Sequence, residues 1–155
     1  MISGIPPLRL RTAENPGGAP LSDFDVRAAV VADRSQFLRD LSMPFYGYNK
    51  PGAKVSEGVR DDFWRICMQA SIAATYDGIR TQSETDFTDD LKKIDVPTLI
   101  VHGEEDQLVP VANSALLSAR LVRNSTLKVY PGAPHGLTVT HASKLNADLL
   151  ALLKA

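Results

Sequence analysis

A single cysteine, Cys67, stands among the 155 residues. No internal disulfide can form, and a lone thiol fits a reducing compartment, so a cytoplasmic setting is the expectation. Neither sign of charge is in excess: 17 basic residues face 18 acidic ones for a net charge of −1. Without a basic stripe there is no electrostatic case for nucleic acid or an anionic membrane surface. No apolar run approaches the roughly 18 residues that cross a bilayer. The opening "MISGIPPLRLR" lacks both a basic stretch ahead of a long apolar run and a small-residue cleavage pattern, so a secretion signal is not expected. Internal repeats and low-complexity tracts are missing too. What is left is the profile of one ordinary globular domain, 44% hydrophobic and 23% charged.

Along the chain, Ile2 to Ile5 reads as a short buried strand stopped by Pro6 and Pro7, which cannot donate to a ladder. "NPGGAP" (15–20) is turn-rich. Ser22 is placed to cap a helix over "SDFDVRAAVVADRSQFLRDL", with acids in its first turn. A Pro/Gly loop, "MPFYGYNKPGAK", then carries Phe45, Tyr46 and Tyr48, which either line a pocket or pack the loop. Ser56 reads as the cap of a second helix, from about 57 to 80, with Phe63, Ile66, Cys67, Ala70 and Ala74 on one face. Cys67 is expected in the core. A short helix in "DFTDDLKKI" leads to a strand at Thr98 to Val101, a helix over about 111–122, a strand over 125–130, and an amphipathic helix presenting Leu145, Leu149, Leu152 and Leu153.

Strands alternating with helices imply an α/β fold with a parallel sheet of about three strands, flanking helices and a helical cap. The expected organisation is strand and loop over 1–21, helical cap over 22–85, and strand–helix–strand–helix over 86–155. In such sheets functional groups gather beyond the carboxyl ends of strands. Two turns fall there: "HGEEDQ", with Glu104, Glu105 and Asp106, and "PGAPHG", with His135. An aspartate that accepts a hydrogen bond from a histidine ring fixes the tautomer in which that histidine works as a base. The residues alone leave two readings open: Asp106 and His135 meet, or they are a surface acid and a loop histidine that never do. Glu104 and Glu105 read as solvated turn acids, His102 as a packed, hydrogen-bonded histidine, and His141 as a surface residue. His102, Glu104, Asp106, His135 and His141 are metal-ligand types, but no recognised ligand spacing is present, so no metal is expected.

Such a pair needs a nucleophile, and the serine elbow signature G-x-S-x-G is absent. The nearest approach, "KVSEG" around Ser56, has Lys54 where the first glycine belongs and follows no buried strand.

"KIDVPTLIVHGEEDQLVP" and "STLKVYPGAPHGLTVTHASKLNADLLALLKA", with "NPGGAP", "ADRSQF", "PFYGYNKPGAKVS" and "SETDFTDDLKKIDVPT" upstream, resemble the α/β-hydrolase group of cofactor-free (non-heme) chloroperoxidases and related aryl esterases. The resemblance covers essentially the whole chain and matches the C-terminal part of that fold. It implies that Asp106 is the catalytic acid, that His135 is the catalytic histidine, and that Phe45, Leu108 and Val109 border an acyl pocket. Glu104 departs from the family's usual Asp at a position outside the triad. The resemblance further implies no cofactor, a small ester or carboxylic acid as substrate, and hydrogen peroxide and halide as co-substrates. The serine would lie in an N-terminal half that these residues do not supply. A complementary half, or a second copy pairing along the Ile2 to Ile5 edge, is the corresponding partner. Two other readings compete: a non-catalytic fragment or interaction module, and a hydrolase whose upstream nucleophile is an aspartate, as in dehalogenases and epoxide hydrolases. A receiver-like single domain fits poorly, because it has no place for the long helical segment.

Overall fold

The computed structural model of the chain describes every residue except Glu14, Gly17, Phe24, Lys54 and Ala155, and for Asp23 only the backbone. The turn-rich reading of 15–20 therefore falls partly outside the described residues, at Gly17. At its centre lie two parallel strands, β1 (Thr98–Gly103) and β2 (Ser125–Tyr130), in register from Thr98 opposite Ser125 to Gly103 opposite Tyr130. Leu99, Ile100, Val101 and His102 are all buried. A parallel strand covered on both faces is expected to read as such a continuous run. The expected third strand shrinks to one parallel bridge, Ile2 with Val101, on the opposite edge of β1. Ser3 N–H donates to the Val101 carbonyl at 2.9 Å, and Pro6 and Pro7 follow before a ladder can extend.

The helical segment comprises α1 (Arg27–Phe45), α2 (Glu57–Cys67) and α3 (Ile72–Glu84). Its start differs from the sequence expectation. Ser22 lies in a 3-10 turn, Leu21–Asp23, and α1 begins later with no acid in its first turn. Asp25 stands just outside α1, accepting from the Arg27 amide at 3.0 Å while holding its guanidinium. α1 is also broken at Asp33, whose extended backbone lets its carboxylate accept from the Gln36 amide at 2.9 Å and restart the helix.

Ser56 caps α2 as read, accepting from Val59 N–H at 3.4 Å. The single helix expected over 57–80 is two, because Ser71 accepts from Ala74 N–H at 3.0 Å and starts α3 afresh. That break dissolves the apolar stripe: Ala70 falls between helices, Ala74 is exposed, and Ile66 is 53% exposed.

α4 (Thr88–Lys92) precedes β1. The helix expected over 111–122 is a 3-10 turn, Val111–Asn113, followed by α5 (Ala115–Leu121); between them Ser114 leaves helical geometry and its hydroxyl donates to the Gly4 carbonyl. After β2 come α6 (Leu137–Thr140) and α7 (Ala142–Leu153). The core joins Leu99, Val101, Tyr130, Ala133, Leu137 and Leu145, with Ile2, Leu149 and Leu152 packed against it. Leu153 is 81% exposed, since it sits about 100° around the helix from Leu152 and off the Leu145–Leu149–Leu152 stripe. Tyr130 donates its hydroxyl to Asp148, which also pairs with Lys128, so α7 is tied to β2. Among the described residues, no helix is long and apolar enough to cross a membrane.

Candidate active site

The turns leaving β1 and β2 are joined by their backbones. Glu104 N–H donates to the Tyr130 carbonyl and Glu105 N–H to the Ala133 carbonyl, both at 3.0 Å. Only glycine allows this approach at position 103, where a Cβ would stand 2.2 Å from the Ala133 oxygen. Gly132 turns the second loop through φ +68. Tyr46 and Phe45, at the end of α1, lie against that loop, and Gly136 N–H donates to the Phe45 carbonyl at 2.7 Å.

This framework brings Asp106 and His135 together. His135 Nδ1 lies 2.7 Å from Asp106 Oδ2, with the Asp106 side chain fully buried and that of His135 19% exposed. An ionised carboxylate can only accept, so Nδ1 carries a proton, and in the neutral imidazole Nε2 keeps its lone pair. Among the described residues, Nε2 has no hydrogen-bond partner. The other carboxylate oxygen of Asp106, Oδ1, accepts from the Leu108 and Val109 amides at 2.9 and 2.8 Å. Burial alone would push the Asp106 carboxyl up. The hydrogen bonds from His102, His135 and the Val109 amide outweigh burial and hold it well below the usual carboxylate range.

Two contacts to this pair went unread in the sequence. Fully buried His102 places Nε2 3.2 Å from Asp106 Oδ2, as well as 2.8 Å from the Val109 carbonyl. It is packed and hydrogen-bonded, as expected, but one of its partners is the site's own acid. Its place four residues before Asp106 was the available signal. Ser3 donates its hydroxyl to the His135 carbonyl at 2.8 Å across 132 positions, from a left-handed backbone at φ +44. Nothing in the local sequence announces that contact.

The remaining candidates separate. Glu104 accepts from Gly132 N–H at 3.3 Å, and Glu105 pairs with Lys50 on the exposed side. Among the described residues no cluster of His, Cys, Asp and Glu is arranged to hold a metal ion. His141 is half-buried rather than on open surface: its Nδ1 lies 2.8 Å from the Thr140 hydroxyl and its ring lies near Tyr130. Half-buried Cys67 lines an apolar cavity of about 570 Å³ with Tyr46, Phe63, Ile66 and Val139, and burial pushes its thiol up. The loop aromatics divide. The Phe45 ring meets the His135 ring edge-on at 4.9 Å and packs on Phe63, whereas Tyr48 turns away beneath Arg60. Leu108 and Val109 line a cavity of about 240 Å³ with Pro6, Leu8 and Arg9, and Phe45 is not part of its wall.

The arrangement can accept a proton at His135 Nε2 while Asp106 stabilises the imidazolium that results. Residues 53–140 match the serine aminopeptidase S33 family (Hydrolase_4). Over its whole length the chain is 54% identical to a non-heme haloperoxidase of Rhodococcus erythropolis, of which it covers 57%. It is 50% identical to a bifunctional esterase/perhydrolase of Acinetobacter calcoaceticus, again covering 57% of that protein. A crystal structure of a bromoperoxidase from Bacillus anthracis superposes with a TM-score of 0.90 at 35% identity, covering 99% of this chain and 56% of that one. The chain thus spans somewhat more than half the length of these relatives and corresponds to the C-terminal part of their sequences.

Proposed function

This chain belongs to the serine aminopeptidase S33 family of α/β-hydrolases, and we propose that it carries the acid and base of a serine hydrolase of the esterase/perhydrolase kind. The observation that carries the reading is the 2.7 Å bond from His135 to a buried Asp106 that leaves His135 Nε2 unengaged. The serine comes from chain outside these 155 residues. Its hydroxyl attacks the carbonyl carbon of a small ester or carboxylic acid and gives its proton to His135 Nε2. The imidazolium returns that proton to the departing alcohol or water, leaving an acyl-enzyme. Water then releases the acid. Hydrogen peroxide in its place, deprotonated by the same nitrogen, releases a peracid. A peracid hands one oxygen to a halide ion and returns to the carboxylic acid, giving hypohalous acid at the cost of one proton. The names of the Rhodococcus and Acinetobacter relatives support both outcomes.

Loss of the serine costs about a millionfold in a well-studied serine protease. The 155-residue chain alone should therefore hydrolyse p-nitrophenyl acetate, or form peracid from acetate and peroxide, no faster than its His135→Ala variant. Turnover by the chain alone that depends on one of its own serines would overturn the placement of the nucleophile.

A further inference from the structure

Asp106 is met by two imidazoles, and only one is explained by the reaction. The other is His102, against the same carboxylate oxygen and with no exposed surface at all. Its Nε2 lies 2.8 Å from the Val109 carbonyl. A carbonyl oxygen cannot donate, so Nε2 must carry the hydrogen, and the same nitrogen stands 3.2 Å from Asp106 Oδ2. Val109 in turn donates its amide to Asp106 Oδ1 at 2.8 Å. The Val109 carbonyl thus takes the His102 N–H, the Val109 amide donates to one carboxylate oxygen, and the His102 nitrogen stands against the other.

Each carboxylate oxygen is thus faced by two nitrogens. The Leu108 and Val109 amides donate to Oδ1, His135 bonds Oδ2, and the His102 nitrogen stands against that same Oδ2. Rotation of the carboxylate plane would disturb the His102 contact as well as the His135 bond. His102 Nδ1, by contrast, is buried with no hydrogen-bond partner among the described residues. Leaving a buried acceptor unsatisfied is costly, and a leucine would fill the space without that penalty. The imidazole is understandable only through its other nitrogen.

We propose that His102 is a positioning residue that fixes the carboxylate of Asp106 in the plane His135 needs. The role rests on the reading of Asp106 and His135 as the acid–base pair, but it can be tested without any turnover.

The test is nitrogen-15 NMR of the histidine side chains in the 155-residue chain at neutral pH. In the unsubstituted protein His102 should be protonated at Nε2 and bare at Nδ1, and the His135 Nδ1 proton should exchange slowly with solvent. His102→Gln, whose amide can still donate, should keep that protection. His102→Phe should lose it by roughly tenfold or more, the factor that one hydrogen bond to a charged group represents. A folded His102→Phe variant with unchanged exchange at His135 would overturn the proposal. So would an Nδ1-protonated His102 in the unsubstituted chain, a result that decides the matter even if the Phe variant does not fold. Failure of the hydrolysis prediction would leave these spectra untouched, so the two claims fall separately.

Discussion

The Gly136 amide donates to the Phe45 carbonyl at 2.7 Å, which fastens the last turn of α1 to the residue that follows His135. The Phe45 ring then lies edge-on to the imidazole at 4.9 Å. Helical segment and histidine turn are one packed unit at this point, and the first prediction follows from how little room it has. A Cβ at position 136 would fall 2.5 Å from Tyr46 Cδ1 and 2.9 Å from Phe45 Cδ1. Gly136→Ala should cost about 1–3 kcal/mol in urea unfolding through overpacking. Gly78, inside α3 with nothing within 4 Å of an added Cβ, is the control. Gly78→Ala should be neutral or stabilising by about 0.5–1 kcal/mol. Equal effects at the two sites would contradict the packing.

Acid sensitivity should trace to Asp106. Its carboxyl is held below the unfolded value, so its contribution to stability is fully present above that value, about pH 4, and is lost as pH falls toward the folded one. Asp106→Asn turns an N–H toward two donor nitrogens and should cost about 3 kcal/mol at neutral pH. The same variant should flatten the decline in stability below about pH 4. A decline as steep as the parent's would assign acid sensitivity to other groups.

Ser3 separates strain from bonding. Ser3→Ala keeps a side chain at φ +44 and loses the hydroxyl bond to His135, which should cost about 1 kcal/mol. Ser3→Gly loses the same bond but relieves the left-handed backbone, worth about 1–2 kcal/mol, so it should be close to the parent in stability. Urea unfolding of the two variants ranks them. The reverse order would contradict a strained Ser3.

The open edge beside Ile2 should make the chain associate. Met1, Ile2, Ile5, Pro6, Phe87, Leu91 and Ile94 line an apolar cavity of about 470 Å³ along it, and among the described residues β1 carries one bridge on that side. Light scattering should show mass rising with concentration, and Ile5→Lys should suppress the rise. A monodisperse monomer at high concentration would contradict this.

Strands β1 and β2, the short helix before β1 and the Asp106 and His135 turns were legible because their signals are local: a buried apolar run, an alternating run, and glycines where the chain reverses. Helix boundaries were less so. Ser22 was read as a cap but lies in a 3-10 turn ahead of α1, whereas Ser71, inside what reads as one continuous helix, starts α3. The pairing of Asp106 with His135 stayed open in the residues alone, since 29 positions separate them. Packing closes that distance through Gly103. His102 was read correctly as a packed histidine but not as a partner of Asp106, because a buried imidazole looks the same in sequence whichever group it faces. The contact of Ser3 with His135 needs the whole fold.

The central claim is that His135 and Asp106 serve a serine supplied from outside these residues. The direct measurement is to combine the chain with the remaining N-terminal part of the Rhodococcus haloperoxidase and label the mixture with a fluorophosphonate that reacts only with activated serines. Label should appear on the supplied segment alone, require both pieces and be lost with His135→Ala. Label on a serine of this chain, or label on the supplied segment that is indifferent to His135, would contradict it.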